Sequence, residues 1–504
     1  MTGCILVVAA ALAACGTGSA DRTPAAAVSV GLDTPIAETS DRFLSFAIDV
    51  SALVRETPYD FSRVRLRNMT AALAPAHLRI GGTQADDLYY DLSDTPVDAP
   101  PAPYEGLLTR ERWDAACGFA ADLGLDLIFT LNAGAGPRDA DDAWSGDNAR
   151  PLVEHAALEG CPVAAWELGN EVNLFWARSL CLEPADYARD FAAARALVDD
   201  VDPDVRLTGP GNLFWPEMCE LPPVGCDFST ADFVAEAADS IDVVTWHYYP
   251  QQSDDDSCIL TPRPAEVETL LDPANLDDVG PCAEAVESGR DDFAPDAEVW
   301  LTETGHALCG GQDGLSDTFV TGFWWLDQLG LLARRGQDVV VRQALTGGTY
   351  HLIDNPTLQP RPDYWNSLLW KRLMGARVLA ASVAEEAGPQ LRVYAHCAVE
   401  GGGAVTVLLV NLAAEDSVPL AFDFAPGPRE VYEVTGQIPS SMEECLEERP
   451  AHCSEVRVND VVLAVDAEGN PPAISPEIVS GSVRVPARSY SFVALPEANA
   501  PACR

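Results

Sequence analysis

Eight short apolar runs punctuate the first three quarters of the chain: FLSFAIDV (43–50), HLRIGG (77–82), LDLIFTLNA (125–133), VAAWELGNE (163–171), VRLTGPG (205–211), SIDVVTWHYYP (240–250), EVWLTETG (298–305) and VVVRQALTGG (339–348). They are nearly continuous in apolar residues instead of alternating, as expected of strands buried on both faces. Between them lie amphipathic stretches. In residues 317–336, Phe319, Phe323 and Leu326 recur at helical spacing, with Ser316 placed as an N-cap. Residues 186–201 show the same period. Eight βα units in series predict an α/β fold, a closed (β/α)8 TIM barrel over residues 28–375. An open doubly wound sheet is the alternative, but no G-x-G-x-x-G follows the first strand. From residue 376 the texture changes to Val-rich segments separated by Gly, Pro and acidic turns, such as LRVYAHCAV, GAVTVLLVNLA and YSFVALP. That predicts an all-β sandwich over 376–504, to which residues 28–40 can add a strand.

In a parallel barrel, chemistry sits where the strands run out at their C-terminal ends. The fourth run ends in Asn170-Glu171 and the seventh in Glu303. Two carboxyl groups on facing strand ends suit glycosidic bond cleavage: one protonates the leaving oxygen, the other attacks the anomeric carbon or activates water. A single Glu at a strand end is ordinarily a surface or salt-bridged residue. Two, on strands four and seven and each near Trp and Gly, point to catalysis. Glu167, deeper in the fourth strand, is expected to be structural and paired with an arginine such as Arg79.

Charge narrows the partners. The formal net charge is −47, and Lys371 is the only lysine. Such a field repels nucleic acid and anionic membranes and offers no general attraction to a sulfated polymer. At the N-terminus, Ile5 to Ala14 is an apolar h-region ending in Leu12-Ala13-Ala14-Cys15, the pattern of a bacterial lipobox. Residues 1–15 therefore read as a signal with lipidation at Cys15, and residues 16–27 as a flexible tether. A plain secretory signal is the alternative, and no Lys or Arg precedes the apolar stretch. The expectation is an exported monomer, secreted or held at the cell envelope or outer membrane by a lipid alone. Beyond Cys4 and Cys15 there are twelve cysteines, an even number that suits disulfides. Candidate pairs are Cys397 with Cys503, which would pin the C-terminus, and the short loops Cys445 with Cys453 and Cys219 with Cys226. With no C-x-x-C and no H-E-x-x-H, no metal or other cofactor is expected.

The stretches HLRIGGTQADDL, LDLIFTLNA, WELGNE, VTWHYY, VWLTETG, residues 315–343, GGTYHLIDN, PDYWNSLLWKRLMGARVL and SYSFVALPEANAPAC resemble the heparanase-like glycoside hydrolase family 79 and its bacterial members over residues 40–503. The resemblance implies a retaining hydrolase of β-linked glucuronic acid, with Glu171 as proton donor and Glu303 as nucleophile. It implies further that Asn170 meets the sugar 2-hydroxyl, that Tyr249 orients the nucleophile, and that His247 and Gln343 line the site. Asp49 and Thr83 match positions around the sugar. Gly310, Gly311 and Tyr350 match positions that hold the uronate. Four departures stand out. Val172 replaces a proline, and His306 and Cys309 lie in GHALCGG after the nucleophile. The region after LYYD is too short for an excised linker. No basic cluster is present. A disulfide is expected at Cys309 in preference to a Cys-His nucleophile. Alternatives are the same fold acting on a β-xyloside or hyaluronan, and a non-catalytic glycan-binding lipoprotein. A binding protein has no need of a paired donor and nucleophile.

Overall fold

The computed structural model describes residues 26–504 except 58, 221–227, 256–257, 259–262 and 449. The signal, the lipidation site Cys15 and nearly all of the tether lie outside the described residues.

Eight parallel strands form the barrel: β1 (Leu44–Asp49), β2 (Ala76–Gly81), β3 (Leu125–Leu131), β4 (Val163–Leu168), β5 (Arg206–Trp215), β6 (Val243–Tyr248), β7 (Glu298–Thr304) and β8 (Val339–Arg342). Each pairs with the next, and β8 pairs with β1, so the sheet closes. A helix follows every strand: α1 (Val64–Ala71), α2 (Arg110–Leu123), α3 (Arg150–Leu158), α4 (Pro184–Val201), α5 (Thr230–Ala237), α6 (Val279–Phe293), α7 (Thr321–Arg335) and α8 (Pro362–Leu373). All six residues of β2 are buried, because helices cover one face and the barrel interior the other. The lower interior is an apolar plug of Ala47, Ile128, Ala165, Val243, Trp300, Val339 and Val341. Above it the inward side chains turn polar. The barrel is a packed core with chemistry at one end.

Helix α8 runs directly into a β-domain whose larger sheet contains β9 (Met374–Leu379), β10 (Leu391–Ala398), β11 (Val405–Asn411), β12 (Arg429–Gly436) and β13 (Ser489–Leu495). A four-stranded sheet faces it across an apolar core that includes Val28, Leu409, Phe422, Val485 and Val493. The N-terminal segment does join this domain. Ala26–Val30 pairs with Ala381–Val383 and Val418–Ala421, and Ala37–Glu38 pairs with β9. The outer face of the larger sheet lies on α7. There Gly330 lets the Tyr394 ring approach so closely that a Cβ would sit 2.3 Å from it, and Asp327 takes hydrogen bonds from Arg392 and the Tyr394 hydroxyl.

Two sequence expectations need correction here. Ser316 is not an N-cap: α7 begins at Thr321 after Val320, with no side-chain cap. The Ser316 hydroxyl instead contacts His306 Nδ1 and accepts from Gln312 N–H. Cys219 does not pair with Cys226, which lies outside the described residues. A hairpin at the end of β5 sets Cys219 opposite Trp215 and carries it to α6, where it closes a disulfide with buried Cys282. Proximity through the fold outweighs proximity in sequence. The other described bridges are Cys117–Cys161, Cys258–Cys309, Cys397–Cys503 and Cys445–Cys453.

Candidate active site

The polar layer above the apolar plug is organised by Arg79 on β2, a fully buried guanidinium. Its Nη2 lies 2.7 Å from Glu167 and 2.9 Å from Asn170 Oδ1, and its Nη1 lies 2.7 Å from Glu303 Oε2. Glu167 is completed by the hydroxyls of Thr130 and Thr302 at 2.8 and 3.0 Å, so every buried charge here is both paired and hydrogen-bonded. This network carries Glu303 and Asn170 as well as the expected Glu167 partner.

Glu303 reaches the interior because β7 breaks register between Leu301 and Thr304. Both Thr302 and Glu303 then point inward, an irregularity of the kind that re-aims side chains beside active sites. Its second oxygen accepts the Tyr249 hydroxyl at 2.7 Å. Glu171 is placed differently. The chain leaves β4 through Gly169 at φ 76° and Glu171 at φ 55°, a left-handed conformation that costs a non-glycine residue on the order of 1 kcal/mol. The turn is held by Glu171 N–H on the Gly211 carbonyl and by Asn170 N–H on Asp86 Oδ2, both 3.0 Å. His247 Nδ1 stands 3.2 Å from Glu171 Oε1. One ligand atom each of Glu171, His247 and Glu303 lies within 4.8 Å of the others. That is close to the separation of about 5–5.5 Å that suits direct nucleophilic attack, and short of the roughly 6.5–9.5 Å that leaves room for a water between two carboxyls.

The two acids differ in surroundings. Burial, and then the charge of Glu303, push Glu171 up to about 8. Burial raises Glu303 too, but the Arg79 cation and the Tyr249 hydroxyl pull it back, so the pair's proton sits on Glu171. Burial and the neighbouring Arg79 hold His247 neutral. Asp86, which buttresses Asn170 and also accepts Ala133 N–H at 3.0 Å, is pushed by burial to about 7.

Of the remaining expected residues, Gln343 and Tyr350 are buried at the end of β8. Tyr350 packs 6.4 Å from the Tyr249 ring. A Cβ on Gly305 would strike both tyrosines, at 2.9 and 3.0 Å. Burial, Glu303 and Asp49 push the Tyr350 phenol up, and the polar neighbours Gln343 and Tyr249 draw it partly back. Gly310 and Gly311 form the adjacent loop, where Gly310 O accepts Thr349 N–H at 2.6 Å. Asp49 lies beside Gly82, whose φ of 103° and lack of a Cβ admit its carboxylate. Thr83 is exposed at the rim, and its carbonyl accepts from Arg178. Cys309 is in a disulfide. His306 is buried, neutral and fixed between Ser316 and Gln251, so neither is available as a nucleophile. A cavity of about 360 Å³ opens against the turn after Glu171, with Phe175, Arg178, Asp87 and Glu105 in its wall. A larger one near Lys371 lies at the opposite ends of β1 and β2 and contains none of these groups.

Among known proteins, chicken (Gallus gallus) heparanase is 31% identical over 95% of this chain and 96% of its own length. The baicalin-β-D-glucuronidase of Scutellaria baicalensis is 28% identical over 92% of this chain and 90% of its own. Among solved structures, a 4-O-α-L-rhamnosyl-β-D-glucuronidase from Fusarium oxysporum superposes with a TM-score of 0.65 at 16% identity, covering 92% of this chain and 99% of that one. A GH51 α-L-arabinofuranosidase from Thermotoga petrophila gives 0.66 at 15%, covering 93% and 99%, which shows a shared fold. The family model for the N-terminal domain of glycosyl hydrolase family 79 matches residues 55–330, and with full-length similarity to heparanase the chain belongs to glycosyl hydrolase family 79.

Proposed function

We propose that this glycoside hydrolase cleaves β-linked glucuronic acid from extracellular glycans or glycoconjugates with retention of configuration. The observation that carries the reading is the pair Glu171 and Glu303, close together yet differently partnered, with Arg79 and the Tyr249 hydroxyl on Glu303 and the His247 imidazole beside Glu171. Glu303, ionised against Arg79 and Tyr249, attacks the anomeric carbon from the face opposite the leaving group. Glu171 gives its proton to the glycosidic oxygen as that bond breaks. The resulting glycosyl ester on Glu303 is then hydrolysed by a water that returns its proton to Glu171. Asn170 meets the 2-hydroxyl, its amide orientation set by Arg79 and Gly82 N–H. Asp49, Thr83, His247 and Gln343 line the sugar. The Gly310 and Gly311 amides and the Tyr350 hydroxyl receive the uronate, since backbone donors hold an anion without a buried cation.

The cavity against the turn that follows Glu171 would take a neighbouring sugar. Its Arg178 is already paired with Asp87 at 3.0 Å, and Glu105 adds a second carboxylate, so a sulfated neighbour is disfavoured. Disulfides and the heparanase relatives fit an extracellular protein. A lipid anchor at Cys15 on a monomer is the form we propose. Among the described residues no helix is long and apolar enough to cross a membrane.

The test is Glu303→Gln and Glu171→Gln on 4-nitrophenyl β-D-glucuronide. Each should lower kcat/KM by roughly 10³-fold or more. Azide should restore turnover to Glu171→Ala and give the β-configured azide. Wild-type rates in both Gln variants, or an α-configured product, would refute the assignment.

A further inference from the structure

The loop that follows the nucleophile is tied down more heavily than its sequence suggests. Cys309, Gly310 and Gly311 all have positive φ, at 64°, 85° and 86°, a conformation that glycine adopts freely and cysteine resists. A Cβ on Gly310 would meet nothing within 4 Å, so glycine is there for its backbone and not for packing. The Gly310 and Gly311 amides donate to no group among the described residues. Two adjacent glycines with unused N–H groups would ordinarily wander. Here they are gripped from the segment that leaves β6 just after Tyr249. Gln251–Gln252 pairs in parallel with Ala307–Leu308. Ser253 N–H bonds the Leu308 carbonyl and Ser253 Oγ the Cys309 carbonyl, both at 3.1 Å. Asp254 N–H bonds Gln312 Oε1 at 2.8 Å. His306 spans from Gln251 to Ser316 inside the same loop. The Cys258–Cys309 disulfide closes the arrangement, with its Cα atoms 5.8 Å apart.

We infer that the Gln251–Asp255 segment and the Cys258–Cys309 disulfide form a covalent brace that fixes the Gly310 and Gly311 amides for carboxylate recognition. The disulfide is thus a positioning element for the choice of a uronate over an uncharged sugar. The inference rests on the functional reading above. Physically, the brace removes loop entropy before binding, so less affinity is lost when the two amides converge on one anion. The chemistry at the anomeric carbon does not pass through this loop, so the effect belongs in binding of the acidic sugar and not in turnover.

The experiment compares wild type with the double variant Cys258→Ser/Cys309→Ser on 4-nitrophenyl β-D-glucuronide and 4-nitrophenyl β-D-glucoside. The expected result is a KM for the glucuronide raised about ten-fold, with kcat and the glucoside kinetics nearly unchanged. The control Cys397→Ser/Cys503→Ser removes a bridge in the β-domain. It should lower the melting temperature without moving either KM. An unchanged glucuronide KM, or an equal loss on both substrates, overturns the brace. A wild-type enzyme that does not prefer glucuronide to glucoside overturns the functional reading and the brace with it. If the double variant does not fold, Ser253→Ala keeps the disulfide and removes the bond to Cys309. It should raise the glucuronide KM alone by about three-fold, and no change there overturns the inference equally.

Discussion

Glu171 and Glu303 stand within 4.8 Å of one another, and the division of labour proposed for them rests on neighbours more than on depth. Glu303 has a cation and a hydroxyl on its two oxygens, whereas Glu171 has a neutral imidazole. The acid must carry its proton to work, so activity should be lost as pH rises through the Glu171 value of about 8. At low pH the loss should follow protonation of Glu303. A bell-shaped profile of kcat/KM measured on the glucuronide checks this. In Glu171→Gln the basic limb should disappear from whatever activity remains, and its persistence there would assign the limb to another group. The strand-end pattern singled out both acids in the sequence, because few other roles place two Glu at such ends, and the fold brings the two together. Arg79 was legible only as a partner for Glu167. Its reach to Glu303 and Asn170 depends on which side chains share one layer of the barrel, and a one-dimensional pattern does not carry that. Asp86 looked like any acidic residue in QADDL, and only its burial under the Asn170 turn reveals its task.

Among the helices, α7 bears the tightest glycine contact. Gly330→Ala would drive a Cβ into the Tyr394 ring from 2.3 Å. Overpacking of this kind costs about 1–3 kcal/mol, which exceeds the gain of roughly 1 kcal/mol from replacing a helical glycine. Net destabilisation is expected in thermal melts. Gly118, in the exposed part of α2 with nothing within 4 Å of an added Cβ, should show the opposite sign on mutation to Ala, a gain of up to about 1 kcal/mol. A pair of variants with equal effects would refute the packing argument. Near-continuous apolar runs foretold the barrel strands, since burial on both faces leaves that signature. The disulfide at Cys219 was not readable, because a hairpin at the end of β5 and the packing of α6 choose its partner. The start of α7 was misplaced at Ser316 because a serine before an apolar period suits a cap, and nothing local shows that His306 claims its hydroxyl.

For the molecule as a whole, the net charge of −47 sets the field through which an acidic substrate must approach. Association of a glucuronide should be hindered at low ionic strength and eased by salt, since screening shortens the reach of the field to about 10 Å at 0.1 M. Glucuronide kcat/KM should therefore rise between ~10 and ~150 mM NaCl while a neutral glucoside is unaffected. A fall would mean that local cations dominate the approach.

The order of strands in the four-stranded sheet has a consequence for biosynthesis. Ala26–Val30, the earliest described strand, finds its neighbours among the described residues in Ala381–Val383 and Val418–Ala421, so a nascent chain emerging from its N-terminus carries an unsatisfied strand edge until it has been delivered through Ala421. Interrupted translation products would expose that edge along with the bare flank of α7, which makes them natural prey for proteases and aggregation. Delivery of the chain through Ala421 is then the event that closes this edge.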